Sequence, residues 1–298
     1  EETYGNKICN TKEHGPVLSK AEYIYGDSVA NYTPIYVKVD GKIDIQTIEG
    51  LGEKYGNDNW VVCEEEGKQT KEYCELSNLS IETWSDKGWT KLYRIIRHKL
   101  ASHKKMIRVK TNRSYVDVTD DHSLLNENGE SISPNEVKIG DKLLHKNIVN
   151  NENLKQWCYY FNIKNHLDTI YLINLYSNLK ENTDDGKIND GKIQMNEVKL
   201  YILRNILDFY THTTLSDNNA VISKGKLNYK GYVYDLTTKN HHFAAGVGDL
   251  IVHNTDSVFF TFNLQTTDGN EIRGKKALEI TIELAQEAGE LASAFLKG

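Results

Sequence analysis

Between residues 29 and 147 the chain is written as short alternating runs separated by turn dipeptides, and this pattern limits what it can fold into more than any other feature. Ile35-Tyr36-Val37-Lys38-Val39 alternates, Asp40-Gly41 follows, and Lys42-Ile43-Asp44-Ile45 resumes the alternation. Asp-Gly supplies two residues that tolerate positive φ, which the tight turn between twisted antiparallel strands requires. Ile81-Glu82-Thr83-Trp84 leads through Asp86-Lys87-Gly88 into Trp89-Thr90-Lys91-Leu92-Tyr93. Met106 to Lys110 and Tyr115 to Val118 read as further strands, and Asn128-Gly129 as a further turn. Period-two alternation gives each strand one inward and one outward face, so the region predicts a compact all-β domain.

The texture changes after Lys146. Residues 151–180 and 196–211 carry apolar residues at helical spacing, as in Val198, Tyr201, Ile202, Ile206 and Phe209. Between them Glu181-Asn182-Thr183-Asp184-Asp185-Gly186 is a polar loop. Strand character returns from Leu227 to Leu236 and at Leu250-Ile251-Val252. At the two ends, Ala21 to Tyr25 and Ser257 to Phe262 read as strands, and Lys275 to Leu296 as a long amphipathic helix. With 298 residues, 39% hydrophobic and 26% charged, the composition is that of a globular protein large enough for two or three domains. A net charge of −6 excludes a chain that is basic throughout. No apolar run approaches the ~20 residues of a membrane span. Glu1-Glu2-Thr3-Tyr4 has neither the basic start nor the apolar stretch of a secretory signal, and without an initiator Met the chain reads as a piece of a longer one. Cys9, Cys63, Cys74 and Cys158 form no Cys-x-x-Cys pair, so free thiols in a reducing, intracellular compartment are expected rather than a Cys63–Cys74 bridge.

Two short sequences are informative together. Residues 23–27 read Tyr-Ile-Tyr-Gly-Asp, and residues 255–260 read Thr-Asp-Ser-Val-Phe-Phe. Joined, they give Tyr-Gly-Asp-Thr-Asp-Ser-Val, which resembles the catalytic palm motif of family B DNA polymerases. Asp27 and Asp256 would then stand two residues apart in one hairpin, where paired carboxylates hold Mg²⁺ for phosphoryl transfer. Residues 28–254 keep the halves apart, and this segment has reactive ends. It begins with the hydroxyl of Ser28, closes with His253-Asn254, and is followed by the hydroxyl of Thr255.

The inserted segment resembles inteins, in particular those of archaeal and viral DNA polymerases. The resemblance covers residues 28–147 and 227–255. It is carried by Ser28-Val29-Ala30-Asn31-Tyr32-Thr33-Pro34-Ile35, by Trp84 to Lys91 with Ile96-Arg97-His98-Lys99, and by the Thr-x-x-His element Thr119-Asp120-Asp121-His122. Ile139-Gly140-Asp141-Lys142, Val233-Tyr234-Asp235-Leu236, His241-His242-Phe243 and His253-Asn254-Thr255 complete it in order. The flanks resemble polymerase, with Gly274 to Leu296 similar to the helix after the metal motif. The resemblance implies a mainly β fold, the Hint-type horseshoe, with a small helical insert and α/β palm fragments on either side. The expected division is 1–27 and 255–298 for polymerase, 28–147 and 227–254 for the splicing domain, and 148–226 for a helical linker or degenerate remnant.

The roles implied are those of protein splicing. Ser28 Oγ attacks the Asp27 carbonyl and turns an amide into an ester, with His122 protonating the leaving nitrogen and Thr119 polarising the same peptide. Thr255 Oγ takes over the acyl group, assisted by Asp235 and His241. Asn254 cyclises and breaks the bond to Thr255, with His253 as proton donor. Of the adjacent His241 and His242, only one can point inward from an extended segment, and His241 fits the family spacing. No cofactor is expected for splicing; Mg²⁺ at Asp27 and Asp256, DNA and deoxynucleotides belong to the spliced polymerase. A monomer without membrane association is expected. The rival readings are a homing endonuclease in 148–226, a Hedgehog-like autocleaving module, and an inert insertion. Outside the motifs, the basic run Arg94, Arg97, His98, Lys99, His103, Lys104, Lys105, Arg108 and Lys110 reads as a solvated sheet face rather than a DNA-binding surface. Glu64-Glu65-Glu66 reads as a solvated loop.

Overall fold

The computed structural model describes residues 10–11, 15–16, 18–23, 28–63, 70–163, 169–183, 191–211, 219–254, 258–262, 264, 272, 275–277, 279–284 and 286. In chain order the strands begin with β1 (Asn10–Thr11), β2 (Gly15–Pro16), β3 (Leu18–Tyr23), β4 (Val29–Ala30), β5 (Pro34–Val39) and β6 (Lys42–Thr47). Helix α1 (Ile48–Tyr55) precedes β7 (Val61–Cys63), β8 (Lys71–Glu75), β9 (Ile81–Ser85), β10 (Gly88–Lys99), β11 (Met106–Thr111) and β12 (Tyr115–Thr119). After β13 (Leu124–Leu125) and β14 (Ser131–Ile132) come three helices: α2 (Leu154–Tyr160), α3 (Thr169–Asn182) and α4 (Met195–Thr211). The chain returns to strands in β15 (Val221–Leu227), β16 (Tyr232–Thr238), β17 (His242–Ala244), β18 (Ile251–His253) and β19 (Val258–Phe262).

The chain divides into two compact units, Gly26–Thr255 and the combination of Glu1–Tyr25 with Asp256–Gly298. In the second, β3 and β19 pair antiparallel, with Val258 opposite Tyr23 and Phe262 opposite Leu18. Helical residues follow at 275–277 and 279–284, and Leu264 and Leu284 are buried against Ile272, Ala277 and Ile280.

The larger unit is mainly β, as expected. Its main sheet runs β15-β11-β12-β4-β16-β10-β9-β5-β6, with β8 also paired to β10, and β7 to β8. The order places β16, from the C-terminal end of the unit, between β4 and β10 from its start. Strand β10 joins the sheet's halves: Gly88 to Lys91 pair with β9, Leu92 to Lys99 pair with β16 through an irregularity between Leu92 and Arg94, and Arg94 to His98 pair with β8. The β5–β6 turn has φ 48° at Asp40 and 77° at Gly41, the conformation that Asp-Gly forecast. A four-stranded sheet, β14-β13-β18-β17, carries the segment that ends at Asn254.

The three helices are built into this unit. Val198, Ile202, Leu203 and Ile206 of α4 share one buried cluster with Tyr36, Trp84, Ile148 and Trp157. At the edge of this cluster Arg113 bonds both Tyr201 of α4, at 3.2 Å, and the buried Asp249. The segment 148–226 therefore shares its core with the strands instead of linking them loosely. The final sheet segment also begins earlier than Leu227, at Val221: β15 pairs along β11 but exposes Ile222 to Lys226 to solvent, so no alternation marked it. Helix α1, unforeseen among the strands, starts where Thr47 Oγ1 accepts from Gly50 N at 3.0 Å. Cys74 and Cys158 are buried free thiols. Four of the nine residues of the basic run are ion-paired, Arg94 with Glu75, Arg97 with Glu72, Lys104 with Asp121 and Arg108 with Asp117. The expected acidic loop at Glu64 lies outside the described residues.

Candidate active site

Ser28 is 1% exposed and is held by its main chain. Its N–H donates to Thr119 Oγ1 at 3.2 Å, and its carbonyl accepts from Thr119 N at 2.8 Å. Strand β12 ends here, and His122 N donates to Thr119 O at 3.0 Å to close the turn that turns the chain toward β13. That turn buries His122 completely, three residues from the threonine that grips the Ser28 peptide. Two residues before Thr119, the buried Asp117 fixes the strand: Arg108 donates to both its oxygens at 2.7 Å, and Tyr32 OH to one at 2.8 Å.

The other end of the segment reaches the same place. Asn254, 2% exposed, donates from its main-chain N to His241 O at 2.8 Å and from its side-chain Nδ2 to Leu236 O at 2.8 Å. The preceding His253 N donates to Ser123 O at 3.0 Å. The segment's two ends, Ser28-Val29 and His253-Asn254, are therefore anchored on the same two stretches. One is β16, whose Tyr234 pairs with Val29 and whose Leu236 carbonyl holds Asn254. The other is the turn from Thr119 to Ser123. Asp235, 3% exposed, stands between the two contacts on β16, and its Oδ1 accepts from Leu236 N at 2.7 Å.

The two adjacent histidines differ from the sequence expectation. His241 does not extend inward: φ is 63°, the side chain is exposed, and the residue lies in the turn before β17. A turn reverses direction at the residue, so strand parity does not apply to it. His242 opens the strand, is half-buried, and sets its Nδ1 2.9 Å from Asp86 Oδ1. Both rings flank His253, His241 in a stacked arrangement at 6.5 Å between centroids and His242 edge-on at 5.2 Å. Thr255, Asp27 and Asp256 lie outside the described residues. Among the described residues no group of three or more His, Cys, Asp or Glu is placed to hold a metal ion. No helix among them is long and apolar enough to cross a membrane.

One group at the site was missed by sequence reasoning. His98, 8% exposed at the end of β10, places Nε2 3.1 Å from Ser28 Oγ and Nδ1 3.1 Å from Lys99 O. Burial, with Lys71 and Lys104 adding to it against the pull of the Lys99 carbonyl, holds its pKa below the ordinary value. The basic run around it hid it, but His98 stands two residues beyond the buried Ile96 on one strand, and that parity marks an inward position.

No family model matches the chain. It is 28% identical over 402 residues to a DNA polymerase of Acanthamoeba polyphaga mimivirus, a match that takes in 91% of this chain and 23% of that protein. The aligned region is longer than the chain itself, so the viral protein carries additional residues within it. A DNA polymerase of Thermococcus sp. (strain GE8) is 34% identical over 125 residues, 41% of this chain and 7% of that one. The chain thus spans less than a quarter of the curated relatives it matches here. Among solved structures, the Mvu mini-intein of transcription factor IIB is similar over 76% of this chain and 100% of its own, at 17% identity and a TM-score of 0.44. Along nearly its whole length the chain is similar to a viral DNA polymerase.

Proposed function

We propose that residues 28–254 excise themselves and join Asp27 to Thr255. The observation that carries this is the common anchoring of the segment's two ends, Ser28-Val29 and His253-Asn254, on β16 and on the Thr119–Ser123 turn. Splicing needs that proximity, because an acyl group must pass from one end to the other without diffusing away. Ser28 Oγ bonds to the Asp27 carbonyl carbon as the Asp27–Ser28 C–N bond breaks. Thr119 Oγ1, already bonded to that nitrogen's proton, holds the peptide during the change, and His122 supplies the proton the nitrogen gains. Thr255 Oγ then displaces Ser28 Oγ from the acyl carbon, with the buried Asp235 assisting. Asn254 Nδ2 attacks the Asn254 carbonyl carbon, closing a succinimide and releasing Thr255 nitrogen, with His253 as proton donor to the leaving group. The freed nitrogen captures the ester and completes the new peptide. No metal or cofactor enters any of these steps.

The flanks are read as DNA polymerase, whose carboxylate pair Asp27 and Asp256 comes into one hairpin only after ligation. Two carboxylates at that spacing suit Mg²⁺, which would organise the phosphates of an incoming deoxynucleotide. Mass spectrometry of freshly expressed chain tests the splicing reading: a ligated product of residues 1–27 with 255–298, plus free 28–254, is expected. Recovery of the intact chain alone would reject it. For the host reading, a splicing-blocked full-length polymerase should incorporate no deoxynucleotide, whereas the spliced form should; equal incorporation would reject the dependence on ligation.

A further inference from the structure

We infer that His98 is the general base that activates Ser28, a catalytic residue contributed by β10 from two strands away. The inference rests on the splicing reading above. Lys99 O has no proton to give, so His98 Nδ1 must be the donor in their 3.1 Å contact. The neutral ring then carries its lone pair on Nε2, which lies 3.1 Å from Ser28 Oγ and accepts the hydroxyl proton. This is the nucleophile–base–orienter arrangement, with a main-chain carbonyl as the orienting group. A serine hydroxyl needs such a base, since it is almost wholly protonated at neutral pH. Charged groups around the ring are Lys71, opposite it on β8, and Lys104, itself paired with Asp121; two cations favour the neutral, proton-accepting form.

In the first step the Oγ proton passes to His98 Nε2 as Oγ bonds to the Asp27 carbonyl carbon. The C–N bond to Ser28 breaks, and the nitrogen gains one proton from His122. One proton has been gained at His98 and one lost at His122, and exchange with solvent restores both rings. Nothing else is consumed.

The test uses the full chain with Asn254→Ala and Thr255→Ala, where the Ser28 ester cannot pass to residue 255. Hydroxylamine cleaves the ester, and the rate of release of residues 1–27 above the rate without hydroxylamine reports its formation. His98→Gln should slow that release by roughly 10²-fold or more. Adding Ser28→Cys to His98→Gln should restore most of the rate, because a thiol is partly ionised at neutral pH without help. A purely structural loss would strike serine and cysteine alike, and an unchanged melting transition would confirm that the variant folds. Release from His98→Gln at the parent rate, or equal losses with Ser28 and with Cys at position 28, would overturn the assignment while leaving splicing intact. If the chain with His98 present neither splices nor gives hydroxylamine-dependent release, the splicing reading itself has failed.

Discussion

Asn254 Nδ2 is held by Leu236 O at 2.8 Å, so the carboxamide is both buried and oriented before it reacts. Asn254→Ala removes the only atom that can close the succinimide, and release at the second junction should stop completely on a gel time course. Ester formation at Ser28 should continue in that variant. Ser28→Ala should do the reverse, stopping the acyl shift while leaving Asn254 free to cyclise; loss of both cleavages in both variants would show that the roles are misassigned. Asp27 creates a second problem at this scale. Once the ester exists, the Asp27 carboxylate can close a five-membered anhydride on the activated carbonyl, a ring closure with an effective molarity that can reach ~10⁵ M. Hydrolysis would then free residues 1–27 without ligation. The Asn254→Ala, Thr255→Ala chain should leak that piece spontaneously, and faster as pH rises through the carboxylate range near about 3.9. Adding Asp27→Gly should suppress the leak, and equal rates across a pH series would remove the carboxylate from the account.

Helix α4 shows why an insert can be hard to delete. Ile206 is fully buried in a cluster shared with strand residues Tyr36 and Trp84. Ile206→Ala should cost about 2–5 kcal/mol, read from chemical denaturation of a splicing-blocked chain, because the cavity opens in the shared core. A loss confined to fluorescence of the helices, with the sheet's unfolding unchanged, would mean that the insert folds separately. What the sequence disclosed of these elements follows physical lines. The β5–β6 hairpin was legible because alternation and Asp-Gly agree. Strand β15 was not, since an exposed edge strand such as Ile222-Ser223-Lys224-Gly225-Lys226 needs no apolar face. The helices of the insert were legible from their period, but their burial against the sheet was not, because a helical stripe does not name its partner. Among site residues, Ser28 and Asn254 declared themselves by interrupting a motif. His98 did not, because its role depends on β16 entering the sheet between β4 and β10, a pairing distant in sequence. His241 was preferred over His242 by the family spacing on a segment taken as extended, where the chain in fact turns.

At the scale of the molecule, the Gly26–Thr255 unit should weaken in mild acid. His98 and His145 both have pKa values held below the ordinary 6.5, chiefly by burial; for His145 Arg113 adds to this, while Asp249 and the Leu143 carbonyl oppose it. Below 6.5 the unfolded chain binds protons that the folded chain refuses, so stability is complete above that value and falls as pH drops toward the folded pKa values. The melting midpoint of the splicing-blocked chain should therefore fall between about pH 7.5 and pH 5.5, and His145→Gln should flatten the slope. A midpoint independent of pH over this range would contradict the buried neutral state of both rings.

The interleaving of β16 between β4 and β10 also acts as a clock on synthesis. A ribosome makes Ser28, Thr119 and His98 long before it makes Tyr232 to Thr238. Until those last residues emerge, β4 has no neighbour on that side, and His98 stands on a strand with nothing to bring it within reach of Ser28. On the splicing reading, the first junction stays an ordinary peptide bond at least until Tyr232 to Thr238 have been made, shortly before Asn254 and Thr255 follow. A protein cut at its first junction too early would lose its leading piece, and on the splicing reading the strand order would guard against that loss.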